Sequence, residues 1–265
     1  MVRRYGGVPT RPTGSRTCRG PKAALLICLT VVHVFASAGT AGAQTVEAAR
    51  AAFTEGRFIE AAELAESLET SEGDALAAEA LAIHGYYLAE ESEKQAWFDR
   101  AAALAEEAIR LDAGNPEGHL QWAHAMGRYA QTVGVLEVVE QGHVRKVRDA
   151  IKQALALDPD MPNAHLSMAA WHAEAVNAGG FMAGLLYGAS GKDALTHYDR
   201  ALALAPDSKA VLFEYALGLL LLDGEGNRDR VRGLLARATA LPSKSAYDRI
   251  IHRRAVARLA ALDDR

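Results

Sequence analysis

Nine histidines stand in this chain of 265 residues. Four of them fall in two stretches that nearly repeat, PEGHLQWAHAMGRYA from Pro116 and PNAHLSMAAWHAEAV from Pro162. Imidazole binds metals and carries protons near neutral pH, so the spacing decides what such residues can do. A helix offers two histidines to one ion at i and i+3 or i+4. His165 and His172 are seven apart, on one face but two turns away; His119 and His124 are five apart and diverge. A metal site therefore requires histidines of different units, such as His119 and His165, to converge. GASGKD (188–193) imitates a phosphate loop, but Asp193 follows the lysine where Ser or Thr belongs, and no strand precedes it. DGEGNRD (223–229) lacks the alternating ligands and distal glutamate of a calcium loop. No serine or cysteine stands beside a base pattern, and no carboxylate pair separates itself from the surface acids. The expectation is a protein that is not an enzyme, with no catalytic residue, cofactor or metal. The repeated histidines read first as packing residues of one structural unit written twice.

The elements that position them are helices. Half of the residues are hydrophobic, alanine and leucine dominate, and the prolines punctuate helical stretches. Four helix ends align: Ala108-Ile109…Leu111 before Pro116, Ala154-Leu155…Leu157 before Pro162, Ala201-Leu202…Leu204 before Pro206, and Ala238…Leu241 before Pro242. The alanines are 46, 47 and 37 residues apart. This pattern resembles the tetratricopeptide repeat, a unit of ~34 residues made of two antiparallel helices. On that resemblance His119 and His165 take a large-residue packing position. Trp122 and Met168 take a buried one, and Ala123 and Ala169 one that demands a small residue. Val147, Ile151 and Ala154, like Ala194, Tyr198 and Ala201, fit the series in the second helix. ARAAFTEGRFIEAAELAESL opens the array with a shorter pair around Gly56. With it the chain holds about five helix pairs, and stacking buries one continuous core. The expected fold is all-α, a right-handed superhelical array.

Two units exceed the repeat length, by apolar stretches expected between their helices: 127–145, with Val133, Val135, Leu136, Val138 and Val139, and 177–192, with Phe181, Met182, Leu185, Leu186 and Tyr187. Such stretches must fold back, meet a partner or close over a ligand. The order GHLQWAHAMGRYA, VRDAIKQALALDPDMPNAHLSMAAWHAEAV, LLYG, KDALTHYDRALALAP and ATALPSKSAYD, from about Gly118 to Ala255, resembles the regulator of microtubule dynamics family. The resemblance implies a helical repeat adaptor without catalytic residues. Its microtubule role does not apply behind an export signal. In export and helical architecture the chain is also similar to the helical accessory component of tripartite ATP-independent periplasmic transporters, without the lipobox cysteine of lipid-anchored members.

The candidate binding residues are His119, Trp122, Met126, Tyr129, His165, Met168, Trp171, His172, Phe181, Leu185 and Tyr187. The adaptor reading places a protein or peptide partner on the concave face. The alternative is a periplasmic carrier or transporter accessory protein, with an apolar small molecule lined by 127–145 and 177–192. The exposed inserts also predict a homo-oligomer.

At the N-terminus Arg3, Arg4, Arg11, Arg16, Arg19 and Lys22 precede an apolar run, 23–38, that ends in small residues. This predicts a signal peptide over 1–43, cut after Ala43, or an uncleaved anchor, and a periplasmic or secreted domain over 44–265. Cys18 and Cys28 leave with the signal. Of 29 basic and 33 acidic residues, six basic ones precede the cut, so 23 remain against 33. Residues 44–118 hold 17 acidic and 5 basic side chains, residues 119–265 hold 16 and 18. That acidic front argues against nucleic acid, and membrane contact is expected only through a retained N-terminal segment.

Overall fold

The computed structural model describes residues 46–133 and 140–263, all within a compact unit running from Ala41 to Arg265. The expected signal, and Val135, Leu136, Val138 and Val139 of the first apolar stretch, lie outside the described residues.

Regular structure among the described residues is helical throughout. The elements are α1 (46–55), α2 (Phe58–Glu66), α3 (Ser71–Tyr87), α4 (Lys94–Leu111), α5 (Pro116–Thr132) and α6 (His143–Leu157). They continue with α7 (Pro162–Tyr187), α8 (Gly191–Leu204), α9 (Lys209–Asp223), α10 (Arg228–Ala240) and α11 (Ala246–Asp263). Local chemistry sets the starts. Thr70, Asn115, Ser190 and Ser208 each accept a backbone N–H of the first turn, which satisfies a donor the helix itself cannot. Pro116 and Pro162 open α5 and α7 where no N–H is needed.

Successive helices pair as α1/α2, α3/α4, α5/α6, α7/α8 and α9/α10, and α11 closes the series alone. Alanines let the helices approach while aromatic and branched residues fill between them. Phe58, Ala61, Ala62, Ala77, Leu81, Ala101 and Ala105 build the first core. Ala194, Tyr198, Leu212, Tyr215, Leu219, Leu235 and Ile251 build another. Val147, Ile151, Ala154, Ala194, Tyr198 and Ala201 are all buried, as the repeat spacing requires.

The stretch 177–192 is not an insert between two helices. Through Tyr187 it prolongs α7, which turns sharply at Gly180 (φ +51°, ψ −132°). Nothing in AVNAGGFMAGLLY stops a helix except that glycine pair, and a helix lengthens until something stops it. Val133 likewise follows α5 directly.

The two ends of the array meet. Ala246 and Ile250 of α11 belong to the core of the first helix pairs. Arg249 donates to the Glu55 carbonyl (3.4 Å), and the Tyr247 and Tyr87 rings lie 5.7 Å apart. Gly56, at φ +96°, turns the chain between α1 and α2, and a Cβ there would stand 2.6 Å from the Ala246 Cβ. The closure is thus built on a position only glycine fills.

Candidate functional site

The duplicated histidines do the same structural job twice. His119 Nε2 lies 3.1 Å from the Ala113 carbonyl and His165 Nε2 lies 2.9 Å from the Pro159 carbonyl, each six residues upstream. In the same loops Asp112 accepts the Gly114 N–H and Asp158 accepts the Asp160 N–H. Aspartate shapes the turn and histidine ties its carbonyl to the next helix. His119 and His165 do not converge. His165 instead meets His197 of α8, Nδ1 to Nδ1 at 2.9 Å, and His197 stacks on His172 with centroids 6.1 Å apart.

Those three rings are spoken for. The His165 Nε2–H donates to Pro159, so its Nδ1 accepts the proton of His197 Nδ1. His172 Nδ1 accepts the Ser190 N–H at 3.1 Å. Burial, then the neighbouring His165 and His172, push His197 down to about 4. His124 lies between Gln121 (3.1 Å) and Ser167 (2.7 Å), and burial pushes it down to about 4. Among the described residues no group of three His, Cys, Asp or Glu side chains is placed to hold a metal ion.

The other sequence-derived candidates divide into two sets. Met168, Trp171 and His172 are buried, with Trp122, Met126 and Tyr187 packed at the margin of the core they share. Trp122 donates to Glu106 (2.9 Å), Trp171 to the Val144 carbonyl (2.9 Å), and Gln95 to Tyr129 (3.4 Å). Phe181 and Leu185 stand out in solvent.

What converges is a set that sequence reading missed. The first helices of the pairs form a circuit: α3 touches α5, α5 touches α7, α7 touches α9 and α9 touches α11. Tyr247 and Arg254 return α11 to α3. Along this circuit the Arg128 guanidinium lies 3.7 Å from the Tyr86 ring centre, and Arg254 lies 4.5 Å from that of Tyr87. Such stacking leaves the guanidinium edge free to donate. Glu174 of α7 and Glu214 of α9 complete the set. Burial pushes both carboxyls up, and Arg128 opposes it. Burial works against the Arg128 charge, but Glu214, Tyr86, Tyr87 and Glu174 outweigh it and hold the guanidinium charged. One signal was available in the sequence. Arg128 and Glu174 occupy the same register, twelve residues after Pro116 and Pro162.

Two cavities lie elsewhere. One of about 390 Å³ sits beside Lys209, whose Nζ donates to the Ala238 (2.7 Å) and Leu241 (2.5 Å) carbonyls and so ends α10. The other, of about 500 Å³, opens between Arg50, Glu79, Asn115 and Glu117.

The fold is that of a helical-repeat protein of the tetratricopeptide type. The crystal structure of a thermophilic tetratricopeptide-repeat protein from Thermus thermophilus is similar over 82% of this chain and 99% of that one, with a TM-score of 0.57 and 16% identity. At that identity the likeness concerns the fold. The chain belongs to the family described as regulator of microtubule dynamics protein 1-3, whose profile matches residues 46–263. The match includes the first helix pairs, which the sequence motifs had left out. A search of curated proteins returned no match.

Proposed function

We propose that this chain is a non-catalytic, exported adaptor that holds a segment of a partner polypeptide on the inner face of its helix array. One observation carries the reading. Arg254, Glu174 and Glu214 come from three helices, yet their side chains make no hydrogen bond or ion pair among the described residues. Charges of both signs without a direct hydrogen-bond partner, beside the rings of Tyr86 and Tyr87, suit a mixed-charge peptide. Guanidinium takes carboxylate in a two-point contact, and the rings take apolar side chains. Because α11 meets the first pair, the partner enters by a loop or a chain end. The carrier alternative draws less support, since Phe181 and Leu185 stand exposed to solvent.

The test is site-directed photocrosslinking in the native host. A benzophenone placed at Glu174 or Tyr86 is expected to trap a partner that the same probe at exposed Glu63 does not. Arg254→Glu is expected to abolish the adduct. Adducts of equal yield from both positions, or adducts indifferent to Arg254→Glu, reject the reading. Export is checked on the same material: N-terminal sequencing is expected to begin at Gln44.

A further inference from the structure

The end of α7 carries a ridge that no described residue covers. Phe181, Met182, Leu185 and Leu186 are 83%, 50%, 68% and 51% exposed. Their spacing, i, i+1, i+4 and i+5, places all four on one helical face. The arm that bears them is fixed. Gly180 sets its direction, Ala183 is buried in the core against α6, and its final carbonyls are held from α6. Arg145 donates to Leu186 (3.3 Å) and Arg148 to Tyr187 (2.8 Å), while Gly188 ends the helix with φ +72°.

The helices beside the ridge carry exposed cations. Arg145, Lys146 and Lys152 are exposed on α6, and Lys192 is exposed at the start of α8. Of the nearby carboxylates, Asp149 is engaged by Arg148 (2.7 Å); Asp193 stands in the first turn of α8, where its backbone N–H meets Ser190. Residues 44–118 carry 17 acidic and 5 basic side chains, so an anionic surface repels that half while attracting the arm.

Area selects among the occupants. Four side chains offer a few hundred Å², short of the ~800 Å² per partner of a standard protein interface. A bilayer needs no matching shape. Each inserted apolar side chain contributes on its own, and flanking Lys and Arg sit at headgroup depth. No described helix is long and apolar enough to cross a membrane, so this contact is superficial. We infer that the 181–187 arm docks this protein on the surface of an anionic bilayer, with Phe181, Met182, Leu185 and Leu186 in the acyl boundary and Lys146 and Lys152 among the headgroups. This is a membrane contact separate from the N-terminal segment and independent of the inner face.

The experiment uses the full chain with Cys18 and Cys28 replaced by serine and an environment-sensitive fluorophore on Leu185→Cys. A second protein carries the label on Glu63→Cys in α2. A label at 185 reads the arm whatever the apolar run 23–38 does. Vesicles of phosphatidylcholine with about 30% phosphatidylglycerol are expected to blue-shift and brighten the label at 185 but not at 63, and phosphatidylcholine alone to leave both unchanged. Lys146→Gln with Lys152→Gln, two exposed positions that do not hold the arm, is expected to raise the lipid needed for half the signal about thirtyfold. No change at 185 on anionic vesicles, or an equal change on neutral ones, overturns the proposal. So does a shift without lipid that grows with protein concentration, which marks a second copy as the occupant.

Discussion

His119 and His165 invite a reading as chemistry and turn out to be latches. Each ties a loop carbonyl, so His119→Ala and His165→Ala are each expected to lose about 1 kcal/mol, measured by urea unfolding. Burial also lowers His84 and His172, but the histidines with the large shift are His124 and His197, both held near 4 against about 6.5 in an unfolded chain. Above pH 6.5 neither form binds the proton. Between 6.5 and 4 only the unfolded chain takes it up, so stability falls as pH falls through that window. Two carboxyls act in the opposite sense. Burial, with Glu107 and Glu66 nearby and Arg110 opposing, raises Asp74 to about 6; burial and Glu117, opposed by Arg50, raise Glu79 to about 7. Their stabilising, protonated state is complete below about pH 4 and is lost as pH rises through 6 to 7. Glu79→Gln is therefore expected to stabilise the protein at pH 7.5 and to be neutral at pH 4. His124→Gln is expected to flatten the acid limb. Paired melting curves at the two pH values check both.

The element with most to explain is α7. From Ala178 its sequence is apolar throughout, and Gly180 redirects it. A Cβ at Gly180 meets no neighbouring atom within 4 Å, so Gly180→Ala is a backbone experiment alone. The φ, ψ pair there is one that alanine avoids, at a strain of about 1–3 kcal/mol. The expected outcome is faster amide exchange across 181–187, with unchanged exchange in α3 and α9. Helix ends were legible because the repeat pattern and its prolines are local. The arm was placed between helices because composition cannot tell a linker from an extension.

For the array as a whole, the closure of α11 onto the first pair is the decisive contact. Gly56→Ala combines a positive φ with a Cβ 2.6 Å from Ala246. It is expected to lower the melting temperature and to lengthen the distance between spin labels at Glu55 and Arg249, measured by double electron–electron resonance. An unchanged distance with a lowered melting temperature would show that α1 and α2 absorb the strain while the ends stay together.

Repeat spacing, the prolines and the small–large alternation were enough to determine helix pairs, their number and most of their buried residues, because a repeat's packing is set by neighbours close in sequence. The family followed from the same motifs. The candidate site was not legible: Tyr86, Arg128, Glu174, Glu214 and Arg254 are scattered over 169 positions as ordinary helix-surface residues. Tyr86, Arg128, Glu174 and Glu214 gather because the first helices of successive pairs touch, and Arg254 joins them because α11 returns to α3; the small angle added at each pair decides whether an array's ends meet. That angle is a sum over the packing of the whole array, and no local pattern encodes it.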